Sequence, residues 1–133
     1  MKPTITARES VILAEKWDAL VKWYTDVLGF TVDRTFDDQF HYANLSIGAL
    51  EIGIGSAAEM GIEPADRKKN TVILQFEVPD VAEFFTYLKE HGGAVTFGPS
   101  FDPNGEFWFG GFEDPEGNPF WVVDQNCPRG KSV

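Results

Sequence analysis

Apolar positions recur along the chain with two periods, and the switches between them mark the elements. Glu9-Ser10-Val11-Ile12-Leu13-Ala14 is a strand-like run. After it, Trp17, Leu20, Val21, Tyr24 and Leu28 recur at helical spacing, which predicts one buried stripe on a helix over residues 17–28. Gly29 stands where a helix C-cap is wanted, and Asp18 lies in the first turn, where the helix dipole favours an acid. Residues 72–78 then alternate apolar and polar as a second leading strand. Asp80 is positioned as an N-cap with Glu83 three residues on, and Val81, Phe84, Phe85 and Leu88 form the stripe of a helix over 81–91, ended by Gly92-Gly93. These four positions follow Trp17, Leu20, Val21 and Tyr24 by a constant 64 residues.

Further strands are expected after each helix, at 29–35, 39–47 and 50–54 in the first half and at 94–97, 107–112 and 120–123 in the second. Asp37-Asp38, Asp102-Pro103-Asn104-Gly105 and Asp114-Pro115-Glu116-Gly117-Asn118 punctuate them. Each half therefore reads βαβββ. Two copies make an internal duplication, not a solenoid. The expected fold is α+β: two βαβββ modules forming curved mixed sheets, helices on the convex side, and a concave ligand cleft. Module one covers about 7–56, a linker about 57–70, module two about 71–126 and a mobile tail 127–133, all in one domain. The Arg67-Lys68-Lys69 cluster in the linker is expected to be a solvated loop.

Alternation along a strand puts Ser10, Ile12 and Ala14 on one face and Glu9, Val11 and Leu13 on the other. Leu50, Ile52 and Ile54 should likewise meet a helix, leaving Glu51, Gly53 and Gly55 opposite. Leu74, Phe76 and Val78 should do the same, with Ile73, Gln75 and Glu77 opposite. Each sheet is thus expected to have an apolar face and a mixed one, the mixed face lining the cleft. Gly53, Gly55, Gly110 and Gly111 mark bulges or close approaches in bent strands.

Composition narrows the partners. The 133 residues are 43% hydrophobic and 14% aromatic, with a formal charge of −10. Such a chain packs a core, and its acidity disfavours nucleic acid and membrane surfaces as partners. No stretch approaches the roughly 18 apolar residues of a membrane span, and the first residues carry charge before any signal-like run, so the expected location is cytoplasmic. Cys127 has no partner for an internal disulfide and no His or basic pair nearby in sequence to activate it. No Gly-x-Ser-x-Gly context or phosphate-binding glycine loop is present.

Two motifs carry a family resemblance. Trp23-Tyr24-Thr25-Asp26-Val27-Leu28-Gly29-Phe30 resembles the first-helix signature of the vicinal oxygen chelate superfamily, the glyoxalase, bleomycin-resistance and extradiol dioxygenase group. Phe112-Glu113-Asp114-Pro115-Glu116-Gly117-Asn118-Pro119-Phe120 resembles its closing turn and last strand. With the duplication, the resemblance spans residues 7 to 126.

Catalytic members hold a divalent ion with His, Gln or Glu from the first and last strands of the modules. The resemblance carries those positions to Glu9, Ile73, Trp121 and, with a register open to a slip of one, Glu51. Ile73 and Trp121 cannot ligate a metal, so the resemblance points to the metal-free, bleomycin-resistance-like members, with no cofactor. Glu9 and Glu51 alone would suit only a weakly held Mg or Ca ion. His91 falls at a helix C-terminus, and His41 in a strand beside Tyr42, as packing, surface or cleft residue.

The expected ligand-binding set is Glu9, Glu51, Gln75, Glu77, Phe107, Trp108, Phe109 and Trp121. Trp121, with Trp108 or Phe107, would stack on a cationic or aromatic small molecule, and the acids would supply counter-charge. The expected assembly is a homodimer. Two alternatives stay open. One is a lyase, isomerase or dioxygenase of the superfamily using Glu9 and Glu51 with a divalent cation, or a Glu alone as general base. The other is a module that docks another protein.

Overall fold

The computed structural model describes residues 2–130. The chain divides into two compact units, Met1–Pro64 and Ala65–Val133. The first contains β1 (Ser10–Ala14), α1 (Trp17–Asp26), β2 (Thr31–Phe36), β3 (Tyr42–Ile47) and β4 (Leu50–Ser56). The second contains β5 (Leu74–Glu77), α2 (Val81–Glu90), β6 (Ala94–Asp102), β7 (Phe107–Glu113) and β8 (Pro119–Val123), preceded by a 3-10 turn at Arg67–Lys69. Each unit is one four-stranded mixed sheet, ordered β1-β4-β3-β2 and β5-β8-β7-β6. The first and last strands of each unit run parallel, and the remaining pairs are antiparallel. The α+β class and the duplicated βαβββ order are as expected.

Period-two alternation builds each helix-side face. Ile12, Ala43 and Ile54 are cross-strand neighbours, as are Leu45 and Ile52, and all are buried together with Ala14 and with Leu20 and Tyr24 of α1. The Trp17 indole N–H donates to the Ile54 carbonyl at 2.7 Å and ties the start of α1 to β4. In the second unit Phe112 and Phe120 stack at 5.1 Å, Phe76 lies 5.0 Å from Phe120, and Phe84 meets Phe112 edge-on at 5.4 Å. Each fully buried ring contributes roughly 1.5–3 kcal/mol by leaving water.

The helix ends follow their local chemistry. Asp80 caps α2 by accepting from the Glu83 N–H at 3.0 Å. Gly92, at φ +83°, turns the chain so that Gly93 N–H reaches the Leu88 carbonyl at 2.6 Å, and Gly29 adopts the same φ after α1. The buried Asp114 carboxylate organises the closing turn, accepting from the N–H groups of Glu116 (2.9 Å) and Asn118 (3.0 Å) and from Asn118 Nδ2 (2.8 Å).

Two strands depart most clearly from the expected bounds. Strand β3 starts at Tyr42, not 39, because the His41 N–H is taken by the Glu59 carboxylate at 3.1 Å. Strand β6 runs past 97 to Asp102, through the cis Gly98-Pro99 bond and two register shifts. It is the edge strand, where a missing N–H breaks no inner ladder. The linker cluster is not wholly solvated, since Arg67 Nη2 lies 3.2 Å from Glu116 Oε1 with both side chains largely shielded. In the tail expected at 127–133, Arg129 pairs with Glu77 at 2.8 Å, and residues 131–133 lie outside the described residues.

Helix α2 closes on its sheet because Gly110 presents no side chain. A Cβ there would stand 2.6 Å from the ring of Phe85, which is itself 2% exposed. Gly110→Ala is therefore expected to lower unfolding stability by about 1–3 kcal/mol in urea denaturation. An unchanged midpoint would contradict this packing.

Candidate functional site

With the apolar half of β1, β3 and β4 turned to the helix, Tyr42, Asn44, Glu51 and Gly53 fall on the open face of the first sheet. Glu9, one residue before β1, reaches the same face. Its Oε2 accepts from the Tyr42 hydroxyl and from Asn44 Nδ2, each at 2.8 Å, and Arg8 Nε lies 3.4 Å from Oε1. Gly53 makes this possible, because a Cβ there would collide with the Tyr42 hydroxyl.

The electrostatic result is a fixed anion. A hydrogen bond from its own backbone and the Tyr42 hydroxyl, with smaller help from Asn44 and Arg8, outweigh desolvation and lower the Glu9 carboxyl to about 2. Burial, and then the bond to Glu9, push the Tyr42 phenol up to about 12. Beside them is a cavity of about 250 Å³ lined by Arg8, Glu9, Asp33, Arg34, Asn44 and Glu51. The two acids expected together, Glu9 and Glu51, thus do line one cavity, in company with two arginines.

The open face of the second sheet is aromatic. Gln75, Trp121 and Gly111 are neighbours across three strands, and Glu77, Val123 and Phe109 are the next row. Phe97 from β6 covers Gly111, where a Cβ would collide with its ring, and meets Trp121 edge-on at 6.5 Å. Phe109 lies 6.4 Å from Phe97 and 6.1 Å from Phe107. Trp121 stays 48% exposed and Phe97 41%. The sequence reading missed Phe97, for which the signal was an aromatic residue opposite a Gly-Gly pair. Glu77, expected as free counter-charge, is engaged by Arg129.

Trp108 does not join this group. It shares strand parity with Gly110 and Phe112 on the helix side of the sheet, packs on Phe101 at 5.2 Å, and donates its backbone N–H to Asp124 at 3.1 Å. Parity along β7 had already separated it from Phe107 and Phe109. Cross-strand register separates it from Trp121.

Register also corrects the matching of Glu51 to Trp121. Ile12 pairs with Ile54, and Phe76, 64 positions after Ile12, pairs with Val122. Trp121 is therefore the counterpart of Gly53, two residues beyond Glu51. As to metals, among the described residues no three His, Cys, Asp or Glu side chains converge on a point. The Glu9 oxygens are already hydrogen-bonded, and Arg8 and Arg34 share the cavity, so this donor set does not fit Zn, Fe or Ni. His41 instead pairs with Glu59 at 2.7 Å, which raises its pKa, and lies 5.0 Å from the Trp17 ring. His91 stacks on Tyr87 at 4.1 Å at the end of α2.

Comparison with known proteins bears on this architecture. Residues 10–122 match the model of the Glyoxalase/Bleomycin resistance protein/Dioxygenase superfamily. The chain belongs to this superfamily. A glyoxalase I variant from Zea mays shares the fold at a TM-score of 0.72 and 20% identity, covering 86% of this chain and 43% of its own, so this chain spans less than half of the maize protein. Lactoylglutathione lyase from Agrobacterium tumefaciens matches at a TM-score of 0.66 and 20% identity, over 94% of this chain and 97% of its own. A superfamily member from Sphaerobacter thermophilus matches at 0.69 and 20% identity, over 90% and 98%. No curated protein matches in sequence at a significant level.

The superfamily's duplicated frame thus carries, in this chain, a locked carboxylate in one unit and an exposed ring shelf in the other. Because Glu9 titrates at about 2 in the folded chain against an ordinary 4.5, its stabilising contribution is complete above pH 4.5 and lost as pH falls towards 2. The stability difference between the native chain and Glu9→Gln should therefore be constant above pH 4.5 and close on acidification. Urea titrations across that range check it, and a difference that widens in acid contradicts it.

Proposed function

We propose that the protein is a small-molecule binder of the glyoxalase/bleomycin-resistance type, sequestering a cationic or aromatic ligand without a metal. The observation that carries this reading is Trp121, half exposed with Phe97 edge-on beside it, on the face of β8 that the helix does not cover. A planar or cationic group gains stacking and cation–π energy on such a surface. Gln75 on the same face adds hydrogen-bonding capacity.

The low Glu9 pKa supports binding over proton transfer. A general base works best with a pKa near the working pH, and Glu9 is shifted the other way. In the cavity that it lines with Glu51 it acts as a standing counter-charge. The proposal extends to a cytoplasmic homodimer, and to neither nucleic acid nor membrane as partner, the last point supported by the net charge of −10. No helix among the described residues is long and apolar enough to cross a membrane.

Isothermal titration with cationic aromatic antibiotics is expected to give saturable binding that Trp121→Ala weakens about tenfold or more. Equal binding by the native chain and Trp121→Ala would reject the stacking surface. Metal analysis of the purified protein after dialysis against buffer is expected to find less than one equivalent of any divalent ion. A stoichiometric ion that Glu9→Gln and Glu51→Gln release would establish the metal-dependent lyase, isomerase or dioxygenase reading instead.

A further inference from the structure

On the helix side of the second sheet, where the chain enters α2, lies a second cavity of about 360 Å³. Its lining residues include Trp108, Pro79, Pro99, Asp80 and Asp124. Asp124 is only 6% exposed. Its Oδ2 accepts from the Trp108 N–H at 3.1 Å and its Oδ1 from the Asn126 N–H at 3.0 Å, while its own N–H donates to the Trp108 carbonyl at 3.1 Å. These bonds hold the backbone of Trp108, a residue 45% exposed, and Phe101 packs on its ring at 5.2 Å. Each Asp124 oxygen has used one hydrogen bond, and a carboxylate offers about four acceptor sites.

Charge selects the occupant. Among the described residues no Lys, Arg or His lines the cavity, and neither Asp80 nor Asp124 has an ion-pair partner. The α2 N-terminus contributes only about half a positive charge against these two carboxylates. An indole is the best aromatic partner for a cation, and the prolines add apolar wall without donors. We infer that this cavity binds a small organic cation, an alkyl- or methylammonium head group, seated on Trp108 with Asp80 and Asp124 as counter-charge. It lies on the opposite face of the sheet from Trp121, so it does not rest on the function proposed above.

The test is a titration of the full chain with tetramethylammonium, followed by amide and indole N–H resonances at constant ionic strength. Tert-butanol serves as a neutral probe of the same shape. Saturable shifts of the Trp108 indole and the Asn126 amide are expected, with the Trp121 indole unmoved. Trp108→Leu should abolish them. Asp80→Asn, which keeps the cap because Asn caps as well as Asp, should weaken binding roughly fivefold.

The inference fails on any of three outcomes. One is no saturation by about 0.1 M, well above the roughly millimolar affinity that a few kcal/mol supply. Another is an equal response to tert-butanol, and the third is shifts that survive in a folded Trp108→Leu. Shifts at Trp121 alone would also overturn it while leaving the open-face proposal standing.

Discussion

An aromatic ring seated over a strand glycine occurs at three places, and the rest of the structure is arranged around them. Phe85 over Gly110 lets α2 approach its sheet. Tyr42 over Gly53 brings a phenol to Glu9, and Phe97 over Gly111 brings a ring to the edge of Trp121. In each case a bare strand position removes the side chain that would hold the ring away. The first contact belongs to the core, whereas the other two lie on open faces and create the features to which function is assigned.

The two open faces have diverged although the strands beneath them correspond. Gly53 and Trp121 are equivalent in register, yet one is bare and covered by Tyr42 and the other is a half-exposed indole. The first sheet consequently concentrates charge, in Glu9, Glu51, Arg8 and Arg34, and the second concentrates ring surface. Duplication preserved the backbone ladders and left the exposed side of each strand free to change. The buried side admits less change, because a close-packed core resists even small alterations of volume.

How far the sequence carries can be judged from particular residues. The helix stripes 64 positions apart, the Asp80 cap and the glycine stops are local signals, and they located both helices. The alternation of Leu50, Ile52 and Ile54 gave the correct buried face of β4. Register was less accessible. The spacing grows from 64 between Ile12 and Phe76 to 68 between Ile54 and Val122, so a constant offset loses the correspondence beyond the helices. The separation of Trp108 from Trp121 is likewise a cross-strand fact that no single strand contains. Pro99 concealed the length of β6, since proline tolerance depends on being at an edge. The Glu9 partners, Tyr42 and Asn44, lie more than thirty residues away along the chain, beyond any local pattern.

The Glu9 cluster has one more consequence. A carboxylate that stays ionised down to about pH 2 gives its cavity a sign that the surrounding medium does not alter under cellular conditions. If an occupant of that cavity is held more tightly at one pH than another, the proton responsible does not come from Glu9 and must be sought on the occupant or on another group lining the cavity. A weak base would be retained where it is protonated and released where it is neutral, so its own basicity would set the compartment in which it stays bound.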